Sequence, residues 1–266
     1  MKVITSRDNA LVKRLHAMAA STSQQRRAEF VLAEGIHLAS AFLDTGGVPH
    51  QCVVSESALD DNEAQALLRR IEDQRVTMLP DALFKQVSTV VTGVGLLLLL
   101  DRETPVMPEV IEHDCIVLDG LQDAGNVGSI LRSAAAAGIR DVFCVTGTAY
   151  VWSSKVLRSG MGAHWHLNIH EHVEPADVLS RLRVPVALTD SHGAQAIDTL
   201  DLSGPHAWVF GNEGAGVSQA WRDASHVRVT IPQPGGMESL NVAAAAAICL
   251  FEQGRQRRAR GLSATA

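Results

Sequence analysis

Leu118-Asp119-Gly120-Leu121-Gln122-Asp123-Ala124-Gly125-Asn126-Val127-Gly128 is the stretch on which the fold turns. An apolar run over 115–118 precedes it. A helical period follows, with Val127, Ile130, Leu131, Ala134 and Ala135 recurring at i, i+3, i+4, i+7 and i+8. Gly138 stands where a C′ glycine would close that helix. Strand, glycine-bearing loop and helix in this order open a parallel α/β unit, and in open α/β sheets ligands bind at the carboxyl ends of strands. Two further loops of this kind follow, each after an apolar run. One is Phe210-Gly211-Asn212-Glu213-Gly214. The other is Ile231-Pro232-Gln233-Pro234-Gly235-Gly236-Met237-Glu238-Ser239-Leu240-Asn241-Val242. Three such loops in one segment point to a single composite site.

Outward from these loops, apolar runs over 115–118, 141–145, 184–188, 207–210 and 227–231 alternate with helical patterns. That alternation predicts a mainly parallel sheet flanked by helices. The first hundred residues read as a separate, smaller α/β region. It has a basic helix over 9–20, a helix over 33–45, a strand over 51–55, a helix over 60–74 and a strand over 94–100. The polar, proline-bearing stretch after Asp101 reads as a connector. The expected division is residues 1–103, a linker over 104–113, and 114–266 with a basic tail. The sequence has no internal repeat.

The 266 residues are 46% hydrophobic and 20% charged, ordinary for a globular protein. The longest apolar run, over 94–100, is too short to span a bilayer. The start, Met1-Lys2-Val3-Ile4-Thr5-Ser6-Arg7-Asp8, lacks an apolar signal core, so a cytoplasmic protein is expected. Cys52, Cys115, Cys144 and Cys249 stand singly, without metal-ligand spacing, and read as buried hydrophobes. The net charge of −6 is uneven. Lys2, Arg7, Lys13, Arg14, Arg26 and Arg27 outweigh Asp8 and Glu29 at the amino end, and Arg255, Arg257, Arg258 and Arg260 close the chain without an acid after Gly254. Local basic patches on an acidic body suit a polyanion such as RNA; solvated surface explains the charge pattern equally well.

Taken singly, the loop residues leave alternatives open. Asn126 reads as a helix N-cap or as a site residue. Arg132, near a helix amino end where the dipole disfavours a cation, reads as a solvated side chain or as an anion ligand. Ser239 and Asn241 read as caps of a helix from Leu240 to Gln253 ending at Gly254, or as site residues. The second loop has no Lys-Ser/Thr of a Walker motif and no dinucleotide fingerprint. His164, His166, His170 and His172 alternate as on one face of a strand, but no carboxylate or Cys completes a metal site, so no metal is expected.

In order, spacing and identity the three loops resemble the signature motifs of the SpoU (TrmH-like) branch of the SPOUT superfamily, S-adenosylmethionine-dependent RNA ribose 2′-O-methyltransferases. The D-x5-G-N-x-G-x3-R pattern is found here over 119–132, with its Gly-Asn pair as Gly125-Asn126. The resemblance covers about residues 114–254, and 26–35 is similar to the opening of the substrate-binding domain that many members carry. Residues 88–95 depart from the polar-glycine entry usual there, which leaves the substrate open. The resemblance implies a sheet closed by a C-terminal trefoil knot, a homodimer with its site at the subunit interface, and an RNA substrate, rRNA before tRNA. It implies that Gly211, Ile231, Pro232 and Leu240 hold S-adenosylmethionine, with Thr189 beside them. It casts Asn126, Arg132, Glu213, Ser239 and Asn241 as the catalytic cluster. Same-fold chemistry on tRNA and a non-catalytic RNA-binding module are the rival readings.

Overall fold

Strands buried on both faces need continuous apolar runs, and the chain supplies them in two places. The computed structural model describes residues 1–102, 104–190, 194–237 and 239–262. They form two compact units, Met1–Glu103 with Trp152–Trp165, and Thr104–Val151 with His166–Ala266.

The first unit runs β1 (Lys2–Val3), α1 (Ala10–Ala20), α2 (Thr22–Arg27), β2 (Phe30–Glu34), α3 (Ile36–Asp44), β3 (Gln51–Ser55), α4 (Asn62–Leu68), β4 (Val76–Leu79), α5 (Asp81–Val87) and β5 (Leu96–Asp101). Its sheet has the order β1-β4-β3-β5-β2, with β5 antiparallel to both neighbours. Leu15, Leu32, Val53, Leu79, Phe84, Leu97 and Leu99 build its core. The expected helix over 33–45 begins later than its pattern suggests. Phe30 to Glu34 pair with β5 instead, and Gly35, at φ 106°, makes the turn into α3. The expected helix over 60–74 ends at Leu68, and β4 follows it unforeseen.

The second unit continues with β6 (Cys115–Asp119), α6 (Ala124–Ala136) and β7 (Asp141–Val145). After α7 (Ser154–Gly160), which belongs to the first unit, come β8 (Asn168–Val173), α8 (Pro175–Arg181), β9 (Val186–Thr189), β10 (Gln195–Ala196), β11 (Ala207–Gly211), α9 (Gln219–Asp223), β12 (Val227–Thr230) and α10 (Val242–Ala259). All seven strands are parallel, in the order β10-β12-β9-β11-β6-β7-β8. From β6 the chain moves outward through β7 and β8, and β9 to β12 fill the other side. The reversal sets β6 beside β11, with β9 next in the sheet, so that their carboxyl ends lie along one edge. Val117, Phe143, Leu188, Val209 and Trp221 pack the core. Ile111, inside the stretch read as a linker, is fully buried in that core and bonds through its backbone to Arg181 and Arg183.

Two local expectations are overturned. The histidines do not share a strand face. His164 and His166 lie in a 3-10 turn, His170 is buried in β8, and His172 sits at a β-irregularity with φ 56°. The last helix starts at Val242 and runs through Gly254 to Ala259. Tertiary pairing overrides the glycine there. Gln253 and Arg257, one turn apart, turn inward, and both bond the Asp114 carboxylate just before β6. Three of the four arginines are therefore not part of a free basic tail. Arg257 is buried, Arg255 pairs with Glu252 at 2.7 Å, and Arg260 pairs with Asp201 at 3.0 Å.

Candidate active site

The site grows from the ends of the parallel strands. β6 ends at Asp119, whose buried carboxylate accepts from Ser218 N at 2.6 Å, and Gly120 turns the chain at φ 71°. Asp123, not Asn126, caps α6: its side chain accepts from Asn126 N at 2.8 Å. Asn126 thus lies inside the first helical turn, and its amide is released for other partners. Its Nδ2 donates to Glu213 Oε1 at 3.0 Å, and its Oδ1 accepts from Asn241 Nδ2 at 2.9 Å. Asn241, and not Ser239, caps α10, its Oδ1 accepting from Ala243 N and Ala244 N. The polarity of this chain is forced at both ends. An ionised carboxylate only accepts and helix-terminal N–H groups only donate, so both amides have one permitted orientation.

Glu213 is the electrostatic centre of the network. It also accepts from Gln122 N and Asp123 N, each at 3.3 Å, at the amino end of α6. Partial desolvation works to raise its pKa. The bonds from Asn126 and from the backbone N–H groups of Glu213, Gln122 and Asp123 outweigh it, and hold the carboxyl below the usual carboxylate range. Asn212, its neighbour, is scaffolding: its side chain bonds Gly120 O, Gly214 N and Ala215 N, and its backbone pairs with Gly216. A Cβ on Gly211 would stand 2.4 Å from the Gly216 carbonyl carbon, so only glycine lets this loop close.

Beyond the strand ends opens a cavity of about 430 Å³, within the range of small-molecule sites. Thr189, Gly211, Glu213, Ser239, Leu240 and Asn241 line it, and Asn126 adjoins it through its two hydrogen bonds. Arg132, Ile231 and Pro232 do not line it. Arg132 is exposed and makes no hydrogen bond or ion pair among the described residues. Ile231 is half-buried and Pro232 exposed on the way to Ser239. Residues 191–193, which follow the Thr189 strand end, and Glu238 in the third loop lie outside the described residues.

The lining residues that the sequence does not single out include two charged ones, Asp190 and Arg222, whose side chains pair at 3.3 Å. Asp190 could have been found as the charged residue ending a strand. Arg222 gives no such signal, since nothing local shows α9 folding back onto that strand end. Among the described residues, no group of His, Cys, Asp and Glu stands as a metal cluster, and all four cysteines are buried.

A family model described as the SpoU rRNA Methylase family matches residues 114–251. A tRNA/rRNA methyltransferase of Synechocystis sp., itself uncharacterized, is 31% identical over 96% of this chain and 94% of its own length. RlmP of Bacillus subtilis, a 23S rRNA guanosine 2′-O-methyltransferase, is 29% identical over 94% of this chain and 98% of its own. The SpoU methyltransferase AviRb of Streptomyces viridochromogenes, solved with the cofactor AdoMet, matches with a TM-score of 0.80 and 25% identity, over 94% of this chain and 98% of that one.

Proposed function

The chain belongs to the SpoU rRNA methylase family, and from that footing we propose that it transfers a methyl group from S-adenosylmethionine to a ribose 2′-hydroxyl of RNA, with rRNA the favoured substrate. The observation that carries this reading is the Glu213–Asn126–Asn241 relay, held at the edge of a cavity built from three strand-end loops. The cavity fits the cofactor on its own terms. Asp190 and Glu213 suit a sulfonium and an ammonium, Arg222 suits a carboxylate, and the glycine-bearing loop Gly211–Gly216 lets a ligand approach backbone closely.

S-adenosylmethionine, when bound, supplies a methyl already activated on sulfur, so the protein must orient a weak nucleophile and ease the loss of its proton. Asn126, Ser239 and Asn241 present polar groups for the ribose, and the relay keeps both asparagines in one orientation. A guanidinium offers hydrogen-bond donors and no acceptor, so Arg132 is not read as the base. It therefore acts as a clamp on RNA phosphate and on the developing alkoxide. Glu213, held more acidic than usual, is a weak base and serves to fix Asn126, which leaves the neighbouring phosphate or water to take the proton.

The working enzyme is read as a cytoplasmic homodimer in which Arg132 serves the partner's cavity. Two observations support this: Arg132 faces solvent outside its own chain's cavity lining, and Ile248 and Phe251 on α10 are 39% and 47% exposed. The trefoil knot and the division into an RNA-binding domain over 1–103, a linker and a methyltransferase domain over 114–266 belong to the same reading. Among the described residues no helix is long and apolar enough to cross a membrane. Isothermal titration with S-adenosylmethionine tests the cofactor assignment: saturable heat is expected, and its absence would leave a bare RNA-binding module. Ribose-methylation mapping of total RNA from a deletion strain then separates rRNA from tRNA.

A further inference from the structure

S-adenosylmethionine carries two cationic centres and one anion, the carboxylate of its amino-acid tail. Three charged residues among those described line the cavity: Asp190, Glu213 and Arg222. Two carboxylates and one guanidinium are the complement of that ligand. Glu213 is committed to Asn126 and the α6 terminus at the loop after β11. Arg222 reaches the cavity from α9, at the wall formed with the strand end of β9.

The anchoring of Arg222 is specific. Its Nε donates to Val217 O at 2.9 Å and its Nη1 to Asp190 Oδ2 at 3.3 Å, so the side chain ties the end of one loop to the start of another. Its Nη2 lies 3.2 Å from where a Gly216 Cβ would stand, so the glycine keeps that space open. A guanidinium has five N–H donors. Two are used here, and the other three have no acceptor among the described residues. The side chain is only 35% exposed. A preorganised, partly shielded fork with donors to spare is suited to bind a carboxylate.

We propose that Arg222 is the residue that recognises the carboxylate of the cofactor's amino-acid tail, with Asp190 holding the guanidinium in place. This rests on the cofactor reading above, and the two can fail separately.

The test is a binding cycle with two ligands, S-adenosylmethionine and its decarboxylated form, titrated calorimetrically against wild type, R222Q and D190N at low salt. Wild type is expected to bind the carboxylated ligand about tenfold more tightly, the lower end for hydrogen bonds to a charged group because the fork is part-exposed. R222Q should abolish that preference, reducing affinity for the carboxylated ligand and leaving the decarboxylated one nearly unchanged. D190N should weaken the preference without removing it. Equal binding of both ligands by wild type overturns the proposal with no variant needed, as does an R222Q loss that is the same for both. An R222Q effect confined to RNA affinity and its salt slope would also overturn it, in favour of a phosphate contact. If wild type bound neither ligand, the cofactor reading itself would fall. Should R222Q not fold, as judged by circular dichroism, R222K must retain only part of the wild-type preference; undiminished preference would exclude recognition by the fork.

Discussion

The two ends of α10 meet the rest of the second unit through polar side chains, but they do opposite things with them. At the carboxyl end Gln253 and Arg257 close on Asp114, which also accepts from His206 N. Arg257 in addition donates to the carbonyls of Ser203 and Gly204. The side chains of Asp114, Gln253 and Arg257 are buried there and paired with one another and with the backbone. At the amino end Asn241 joins Asn126 and Glu213 in an equally connected network, but it stands at the surface against a cavity. The residue types overlap, and burial separates their roles. A buried network specifies the position of a helix; an exposed one of similar chemistry keeps hydrogen-bonding groups at a place a substrate can reach. The lower junction is what allows the upper one, since a helix locked at Arg257 presents its cap, Asn241, in a constant position.

The strongest way to break this contrast is at the buried end. Arg257→Ala leaves the Asp114 charge poorly compensated, and should cost about 3–5 kcal/mol of stability in denaturant unfolding. The paired replacement Asp114→Asn with Arg257→Met should cost much less than the single change. If Arg257→Ala were nearly neutral, the lower junction would not be what fixes α10.

At the open end the expected loss is in transfer and not in folding. Arg132→Ala should leave cofactor affinity within a few-fold while reducing methyl transfer by ~10²-fold or more, as for removal of an electrostatic stabiliser. Mixing it with Gly211→Trp sharpens the dimer reading. Co-expressed in equal amounts, the two inactive variants should recover roughly a quarter of wild-type activity, because each mixed dimer then contains one intact site. No recovery despite demonstrated heterodimers would return Arg132 to its own subunit's cavity.

Glu213 gives a smaller effect with a definite sign. Its folded pKa lies below the ordinary 4.5. The unfolded chain therefore takes up the proton first as pH falls, and the carboxylate's contribution is whole above about 4.5 and lost through the folded pKa below it. The stability difference between wild type and Glu213→Gln should be constant from neutral pH down to about 5 and shrink below 4.5; a difference that grew on acidification would contradict the hydrogen-bonded carboxylate.

The smallest effect belongs to arginines that share Arg257's chemistry but not its burial. Arg26 and Arg27, exposed at the end of α2, should cost little stability when changed to Ala. RNA binding should weaken, and the salt slope should fall by up to about one unit for each phosphate no longer neutralised. An unchanged slope would make them solvated surface only.

Much of this molecule is legible in its sequence. Strands at 51–55 and 141–145, the apolar runs of β6, β9, β11 and β12, and the glycine that closes α6 follow from short-range physics. Apolar period, backbone freedom and helix stop signals act within a few residues of where they are written. For the same reason the three loops read as ligand-facing, and Gly211, Glu213, Ser239, Leu240 and Asn241 from two of them line one cavity. What the tertiary structure alone decided lies across long separations. Asn126 became a relay and not a cap because Asp123 starts the helix earlier and Glu213 arrives from 87 residues away. Phe30 to Glu34 became a strand because β5 offered it a partner. Arg257, one of four arginines in a tail that read as basic and solvated, was drawn into the interior by a carboxylate 143 residues distant. Arg222 met Asp190 across 32 residues. No local propensity records such pairings, because a charge or an amide reads the same in sequence whether its partner is water or a buried side chain.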